Sequence, residues 1–349
     1  MRIRRTFPIA IGVVVVAAAV ILAVQLRKHA PPESARLLPG ADAFVYLNLG
    51  WARKANGGNN LPAVSHDPEY ERFIQQTGIE FERDLDAAAF AIHYPAKWPG
   101  GGSGGSAPEP RFSEVFVGKF HSERLSAYLK QLAQSVENYN SLEIFTIPVE
   151  GRTFRVAILS VDSVAASNHD DPAVIRGMVD RSRRLASPFG GPALLRRYYK
   201  RVQFASPGWI VAHIEPSAPA FSSWTAVFPN PADLVISASY NPLHLPLRPG
   251  SLHLRAEALA GTSDDARSIA NKLNVFLTMF HSAEGLMGSQ ASDPDVKTLF
   301  ESLQVHQEGE RAILSATLPL GFLRKMLSGS SDELPSFQSP PAQKSPAKR

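Results

Sequence analysis

The 349-residue chain contains no cysteine. This absence fits an oxidising compartment, where stray thiols are a liability, although it does not by itself fix the compartment. The sequence also lacks a Walker A motif, a Rossmann glycine pattern, an H-E-x-x-H motif and an N-x-[ST] glycosylation acceptor, and its ten histidines show no zinc-binding spacing. We therefore expect a protein that is not an enzyme and that uses no cofactor and no metal ion.

Acidic residues are absent from both ends of the chain, and the protein as a whole is basic, with a net charge of +4 and a pI near 9.3. Residues 1–29 carry five lysines and arginines, and residues 344–349 carry three. The intervening residues, 30–343, carry 28 basic and 32 acidic side chains, a net charge of about −4. The basic pI therefore comes from the two ends, and this distribution disfavours binding to nucleic acid.

A long apolar run stands near the start of the chain. Residues 8–26 (PIAIGVVVVAAAVILAVQL) include no charged side chain and one polar side chain, Gln25. As a helix this run would be roughly 28 Å long, close to the ~30 Å apolar thickness of a bilayer. It predicts a transmembrane helix over residues 8–26, and hence an integral membrane protein with a single span.

Two alternatives to an uncleaved anchor are a cleaved secretory signal and a buried helix of a soluble protein. A signal has a shorter apolar core of roughly 7–15 residues followed by a small-residue cleavage site. Here Arg27 and Lys28 occupy that position. The three arginines before the run favour a cytoplasmic tail over residues 1–7. We therefore expect the rest of the chain outside the cytoplasm, in the periplasm or at the cell surface.

Beyond the apolar run, β-branched and aromatic segments alternate with helical periodicity, which predicts an α+β fold. Strands are predicted at 44–49, 87–93, 112–120, 142–148, 152–161, 209–214, 233–240, 251–258, 303–308 and 311–318, and helices at 67–76, 122–136 and 264–280. We expect a first α+β half over 30–168 with a flexible loop over 95–110, a helical connector over 169–205, a second α+β half over 206–327 and a disordered tail over 328–349.

The order of these elements repeats in the two halves. Each half contains a main helix and a closing hairpin that turns on a Glu-Gly pair, Glu150-Gly151 in the first half and Glu308-Gly309 in the second. The two turns are 158 residues apart and the helices about 142, so we place an insertion of about 16 residues at 281–296. The pattern predicts two related mixed strand/helix halves with antiparallel hairpins, packed close together.

Basic residues are concentrated in the predicted connector. Between positions 176 and 201 they stand against a single acid, Asp180, and they are Arg176, Arg181, Arg183, Arg184, Arg196, Arg197, Lys200 and Arg201. They fall in two predicted amphipathic helices, 172–185 and 192–202. The plain interpretation is two solvated helix faces. The alternative is a patch that contacts acidic lipid headgroups or an acidic partner, and these eight residues are its candidates.

Other groups of acidic residues and histidines have a structural interpretation. In HDDP (169–172) and HDPE (66–69) an aspartate precedes a proline, which predicts a helix N-cap rather than a metal ligand. In EFERDLD (80–86) the carboxylates alternate as a cation site would require, but Arg83 lies among them, and a solvated strand or loop face explains the spacing. A G-x-S-x-G match at 101–105 lies in the flexible loop, without the strand and helix that a nucleophile elbow requires.

Short motifs near the start of the chain are similar to those of a known group of proteins. LPGADAFV (38–45) follows the apolar run, and TGI (77–79) leads to DLD (84–86). These segments resemble the opening of bacterial single-pass membrane-anchored proteins of a domain-of-unknown-function family, with its LPADT-like and SGLDL…DL-like motifs. The resemblance covers roughly residues 1–95. It implies a location at the bacterial cell envelope, and it implies no chemistry and no catalytic residues.

These observations predict a non-enzymatic extracytoplasmic domain that acts through an envelope protein partner or other envelope contacts. The first alternative is a lipid or apolar ligand bound between the two halves, close to the membrane. The second alternative is an envelope hydrolase with dispersed carboxylates, for which Asp84 and Asp86 are the first candidates. The sequence leaves the oligomeric state open.

Overall fold

The computed structural model describes residues 30–62, 67–94, 109–149, 151–183, 190–218, 221, 224–241, 251–286 and 294–328. The predicted transmembrane helix, the predicted cytoplasmic tail and nearly all of the predicted loop and C-terminal tail lie outside these residues. Within the described residues, no helix combines the length and the apolar character that a membrane span requires.

Helices and strands are distributed along the whole described chain. The α-helices are α1 (Glu33–Leu37), α2 (Leu49–Ala55), α3 (Pro68–Thr77), α4 (Phe81–Asp84), α5 (Ser122–Leu132), α6 (Ala173–Arg183), α7 (Ala193–Tyr198), α8 (Ser263–Leu286), α9 (Pro294–Ser302) and α10 (Leu320–Ser328). The strands are β1 (Ala43–Asn48), β2 (Leu85–His93), β3 (Arg111–Gly118), β4 (Ser135–Tyr139), β5 (Leu142–Val149), β6 (Arg152–Ile158), β7 (Ser163–Ser167), β8 (Gly208–Ile214), β9 (Ala232–Asn241), β10 (Ser251–Ala260), β11 (Gln304–Glu308) and β12 (Arg311–Pro319). A 3₁₀ turn, Tyr199–Arg201, follows α7. The fold is α+β, as predicted.

Helix boundaries follow local signals in the sequence. The Asp67 side chain accepts hydrogen bonds from the backbone N–H groups of Glu69 and Tyr70, at 3.0 and 2.8 Å, and so caps α3. Gly78, with φ of +74°, ends the same helix in the left-handed conformation that glycine tolerates. Asp171 accepts a hydrogen bond from the N–H of Ala173 at 2.8 Å at the start of α6. Both predicted N-caps are confirmed.

All twelve described strands belong to one sheet, in the order β11-β12-β10-β9-β8-β1-β2-β3-β7-β6-β5-β4, and every neighbouring pair is antiparallel. β1 pairs with β8 in the middle of this order, with Ala43 opposite Ala212 and Leu47 opposite Gly208. Strands from residues 43–167 and strands from residues 208–319 therefore meet at this pair in a continuous sheet.

Consecutive residues of a strand point to opposite sides of a sheet, so Phe44 and Val45 of β1 define its two faces. The Phe44 face is covered near the centre by α1, α6 and α7. Phe44 belongs to the same buried apolar cluster as Ile175 and Met178 of α6 and Leu195 of α7. These helices protect the middle of the Phe44 face from water.

The Val45 face is covered at its two flanks. On one flank, α5 packs on β5 and β7, and Leu125 is buried with Phe145 and Val164. On the other flank, α8 lies over β10, β12 and β11, and Ile269 is buried with Ala258 and Ala312. Nearer the centre of this face, Ile210 and Ile236 pack against the cluster that includes Phe221 and Phe228 of the β8–β9 connection. Trp51 of α2 packs edge-to-face on Tyr240 of β9, with 5.8 Å between the ring centroids.

Elements stand in a similar order on either side of the β1–β8 pair. β1, β2 and β3 form a meander that is followed by α5 and then β4 to β7, and β7 pairs with β3. β8, β9 and β10 form a second meander that is followed by α8, α9 and the β11–β12 hairpin, and β12 pairs with β10. By position in the sheet, β12 is therefore the counterpart of β7.

This topology corrects the predicted alignment of the Glu-Gly turns. The turn at Gly151 joins β5 to β6, whereas the turn at Gly309 joins β11 to β12. The prediction that these turns correspond is wrong, because the first half contains two additional strands, β4 and β5. Helix α8 continues to Leu286 through the start of the expected insertion, and the short helix α9 begins at Pro294, near its end.

Candidate functional site

Two cross-strand rows of apolar residues cross the middle of the Val45 face. Val45 stands opposite Phe90 on one side and Ile210 on the other, and Leu47 starts the second row two residues further along β1. The pairing continues through β9 to β10. We call these residues the central floor, and they are Phe90, Val45, Ile210, Ile236 and Ala256 in the first row and Ala88, Leu47, Gly208, Ala238 and Leu254 in the second.

The central floor is partly open to solvent. Leu47 is 43% exposed, and Tyr240, which follows the second row on β9, is 39% exposed. Val45, Ile210 and Ile236 are half-buried. Because neighbouring strands lie about 4.8 Å apart, the five strands from β2 to β10 give the floor a width of about 19 Å. This width is comparable with the length of a long acyl chain, and strands from both halves of the sheet contribute to it.

Aromatic side chains border the central floor on the side of β3. Phe116 of β3 lies 5.9 Å from Phe90, ring centroid to ring centroid, in an edge-to-face arrangement. Phe81 of α4 stacks on Phe116 at 6.5 Å. This aromatic border joins the floor to the apolar cluster beneath α3 and α5.

Helix α8 borders the floor on the opposite side. Asn274 and Leu277 line a small cavity with residues of β11, so this side of α8 faces the edge of the sheet. Phe276 and Met279 lie on the other side of the helix, away from β11. They are 43% and 62% exposed. We call the central floor with these two borders the central groove.

Glu114 of β3 is a carboxyl group beside the central floor. It stands opposite Phe90 on the Val45 face and is half-buried. Burial raises the pKa of Glu114 to about 7. Around neutral pH this side chain is therefore protonated in a large fraction of molecules, and in that form it can donate a hydrogen bond to a ligand in the groove.

The predicted basic residues do not form one patch. Arg176 of α6 binds Glu137 of β4 through Nε and Nη2, both at 2.9 Å. Nε of Arg181 donates to the backbone carbonyl of Leu37 at 2.7 Å, and Arg183 donates to carbonyl groups of the β4–β5 turn at 3.2 Å. These three arginines attach α6 to β4, to the β4–β5 turn and to α1, which is a structural role.

The remaining members of the predicted basic set lie on or after α7, apart from Arg184, which is outside the described residues. Arg196 is exposed on α7. Arg197, Lys200 and Arg201 line a cleft of 890 Å³ on the Phe44 face, on the side of the sheet opposite the central groove. The structure therefore brings together three of the eight candidates.

The predicted carboxylate candidates have structural partners. Residues 81–84 form the short helix α4, and β2 follows at once, rather than the solvated strand or loop face that the alternation predicts. Asp84 accepts hydrogen bonds from Nε of Arg83 and from the backbone N–H of Glu80, both at 2.9 Å. Asp86 pairs with Arg53 at 2.5 Å. Within the described residues, no three His, Asp or Glu side chains are placed to hold a metal ion.

A buried network of serines and histidines on the Phe44 face is absent from the sequence predictions. Nε2 of His93 lies 3.1 Å from the hydroxyl of Ser113, which lies 2.9 Å from the hydroxyl of Ser167. The ring of His169 packs edge-to-face on His93 at 5.0 Å. Burial, with a smaller contribution from His169, lowers the pKa of His93 to about 4. Ser113 is fully buried, so this serine–histidine pair stabilises the sheet and is closed to a substrate.

No protein-family model and no curated protein matches this chain. Two solved structures align with it, both of the protein TP0453, in crystal forms III and IV. Form III aligns with a TM-score of 0.43 and 12% identity over 84% of this chain and 97% of the other, and form IV with a TM-score of 0.39 and 11% identity over 85% and 96%. At these values we draw no conclusion about fold or function from the similarity. The resemblance to a domain-of-unknown-function family stays a prediction.

Proposed function

We propose that this chain is a non-enzymatic binding module, anchored in a membrane by residues 8–26, whose central groove holds an apolar ligand such as the acyl chain of a lipid. The observation that carries the proposal is the central floor, an apolar surface that both halves build and that leaves Leu47 43% and the neighbouring Tyr240 39% exposed. Exposed apolar surface of this extent in a folded domain is typical of a ligand or partner site.

The energy available from this surface favours a long apolar ligand. Each methylene group removed from water contributes about 0.8 kcal/mol. An acyl chain with ten buried methylene groups therefore offers on the order of 8 kcal/mol before the entropic cost of binding is subtracted. A short polar ligand has little to gain, because Glu114 is the one polar side chain beside the first floor row between β7 and β12.

We further propose that the two halves are related units, and that the groove exists because they meet side by side. The same order of elements supports this relation. Each half has a three-stranded meander, then a helix, and then a final strand that pairs with the third strand of the meander. The main helix of each half, α5 or α8, packs on the outer strands of the Val45 face, so the strands at the junction lie between these two helices.

An envelope protein partner is the second candidate for the groove, and the exposure of Phe276 and Met279 beside the floor favours it. The hydrolase alternative has less support. Asp84 and Asp86, its first candidates, are both engaged by arginines, and both catalytic roles of a glycosidase carboxylate pair require access to substrate.

The test is purification of the full-length chain from native membranes in a mild detergent, followed by mass spectrometry of an organic extract and of the co-purified proteins. We expect a stoichiometric lipid, and we expect cis-parinaric acid to bind the delipidated protein with increased fluorescence. The Leu47→Asp substitution places a charge in the floor, so it should lower both signals at least tenfold.

Val149→Asp is the matched control, because Val149 lies on the outer strand β5 and is 43% exposed, as Leu47 is. This variant should retain lipid and probe. Equal signals from the two variants, or a wild-type extract without stoichiometric lipid, would contradict the acyl-ligand proposal. A protein retained by wild type and by Val149→Asp, but lost from Leu47→Asp, would assign the groove to a protein partner instead.

A further inference from the structure

The cleft on the Phe44 face is built from a different set of residues than the central groove. Its walls are α7 with the following 3₁₀ turn, the start of β9, the end of β10 and the β11–β12 turn. Basic side chains reach it from two directions, Arg197, Lys200 and Arg201 from the helical wall and Arg311 from β12. The inference below concerns this cleft and does not depend on the function proposed for the groove.

The bottom of the cleft is organised around Glu257 of β10, whose side chain is 6% exposed. Its Oε2 atom contacts Nη1 of Arg201 at 3.3 Å and Nη1 of Arg311 at 3.4 Å, and its Oε1 accepts a hydrogen bond from Arg255 at 2.7 Å. Because Arg201 and Arg311 share one oxygen atom, their guanidinium groups lie side by side. Glu308 also pairs with Arg311, at 2.9 Å, so two carboxylates face three guanidinium groups and one positive charge is left among these five side chains.

A histidine is held in a fixed orientation in the wall of the same cleft. Nδ1 of His213 lies 2.8 Å from Oδ1 of Asp233, and the hydroxyl of Tyr198 donates to the other oxygen of the same carboxylate. An ionised carboxylate only accepts hydrogen bonds, so the Nδ1 atom carries the hydrogen and the Nε2 atom is left for another partner. The His213 side chain is 44% exposed.

The acidic residues of the cleft are largely engaged, whereas two of its cations have no acidic partner among the described residues, although Arg197 lies over the Tyr198 ring at 5.1 Å. Asp233 is bonded to Tyr198 and His213, and Glu308 pairs with Arg311 at 2.9 Å. Glu310 is exposed in the β11–β12 turn. Among the described residues, neither Arg197 nor Lys200 forms an ion pair with an acid, and both are exposed to the cleft.

We propose that this cleft binds a phosphate monoester, either as a soluble phosphate compound or as the headgroup of an anionic lipid. Lys200 and Arg197 supply charge from one wall, and the paired guanidinium groups of Arg201 and Arg311 supply planar N–H donors from below. Nε2 of His213 can accept a hydrogen bond from the P–OH group of a singly protonated phosphate. A carboxylate ligand would pair with a single guanidinium group and would leave the other donors of the cleft unused. A phosphate monoester has three terminal oxygens and up to two negative charges, and it can use all of these donors.

The test is isothermal titration calorimetry on the full-length chain in a neutral detergent at low ionic strength. The titrants are inorganic phosphate, dihexanoyl phosphatidic acid and dihexanoyl phosphatidylcholine. We expect binding of phosphate, of the phosphatidic acid or of both, and at least tenfold weaker binding of phosphatidylcholine, which lacks a monoester. Binding of the phosphatidic acid at least tenfold tighter than that of phosphate would identify the lipid headgroup as the source, and comparable affinities would identify a soluble phosphate compound.

The variant Arg197→Ala/Lys200→Ala should weaken binding of the monoesters at least tenfold. Both side chains are exposed, and an unchanged thermal unfolding midpoint would show that the variant is folded. Arg72→Ala/Arg267→Ala is the matched control, because it removes two exposed positive charges away from the cleft, on α3 and α8. An equal loss in both double variants would overturn the proposal. So would wild-type binding that does not distinguish the phosphatidic acid from phosphatidylcholine, or no binding of either inorganic phosphate or the phosphatidic acid at millimolar concentration.

Discussion

The two faces of the sheet separate residues that are neighbours along β10. His253, Arg255 and Glu257 point to the Phe44 face. The residues that alternate with them along the strand, Leu254, Ala256 and Ala258, point to the Val45 face. The first face collects charge around a buried carboxylate, and the second continues the apolar floor. A single strand can therefore serve two chemically different surfaces, because its period of two assigns alternate residues to each of them.

The two faces also differ in how they are covered near the centre. On the Phe44 face, α1, α6 and α7 bury Phe44 completely, whereas on the Val45 face the neighbouring rows are half-buried or exposed. Helix position explains the difference. The helices that connect the meanders, α5 and α8, lie on the outer strands of the Val45 face, and the residues between the halves form helices on the Phe44 face.

The largest expected effect that separates the two faces comes from truncating a central side chain on each. Phe44→Ala removes a fully buried ring and should lower the free energy of unfolding by about 3–5 kcal/mol. Leu47→Ala, on the same strand and 43% exposed, should lower it by about 1 kcal/mol or less. Urea unfolding followed by tryptophan fluorescence measures both. Equal losses would mean that Leu47 is covered in the folded protein, which would contradict the open groove.

An intermediate effect is expected from two titratable groups with shifted pKa values, Glu114 and His93, one on each face. The pKa of Glu114 rises from an ordinary value of 4.5 to about 7 on folding. The unfolded chain therefore releases this proton more readily, and stability falls as pH rises from about 4.5 to 7, by at most about 3 kcal/mol. Glu114→Gln should remove this loss, so the variant should be more stable than wild type at pH 8. An unchanged pH profile would mean that Glu114 is ionised without penalty.

His93, on the Phe44 face, should give the opposite dependence in the same measurement. Its pKa falls from 6.5 to about 4 on folding, because burial and His169 disfavour the charged ring while Asp42 partly offsets them. The unfolded chain binds this proton more readily, so stability falls as pH decreases from 6.5 to 4, by about 3 kcal/mol. His93→Gln should abolish this acid-side loss and leave the loss that Glu114 causes. Identical acid limbs in variant and wild type would assign the acid loss to other groups.

The smallest effect is expected from the exposed part of the basic segment. Arg176 and Glu137 form a bidentate pair in which both side chains are about 40% exposed, and solvent screens such a pair. Arg176→Ala should therefore change the unfolding midpoint less than Arg181→Ala, which removes a half-buried donor to the carbonyl of Leu37. Differential scanning fluorimetry of the two variants measures the difference. A larger loss from Arg176→Ala would reverse the assignment of Arg181 as the stronger attachment of α6.

Local signals in the sequence predict several of these elements well. The Asp67 cap and Gly78 bound α3, and the apolar residues of β9 and β10 alternate as strands should. Prediction of element boundaries is poorer where a helix is followed almost at once by a strand. The helix predicted to reach residue 136 ends at Leu132, because Val136 already belongs to β4. β7 is short and reads SVAAS, so it offers little apolar periodicity to detect.

The candidate sites depend on pairing between distant strands, and this is why they could not be located from sequence. The central floor requires Phe90 and Ile210 to lie on either side of Val45, and no local pattern specifies that pairing. The sequence indicated part of the cleft, because Arg197, Lys200 and Arg201 were among the candidates for a basic patch. The alternation of charge in β10, through Arg255 and Glu257, was a second signal that becomes informative only when Arg201 and Arg311 are known to reach the same carboxylate.

The pairing of β1 with β8 also has a consequence for how the chain is made. β1 comes from residues 43–48, but its second partner is not synthesised until residues 208–214. One edge of β1, with its unpaired N–H and C=O groups, therefore waits for more than a hundred residues of synthesis before it is paired. An unpaired strand edge of this kind can pair with other chains. The risk of misassembly is therefore highest before β8 is synthesised, when the unpaired edge belongs to a central strand of the final sheet and not to an outer one.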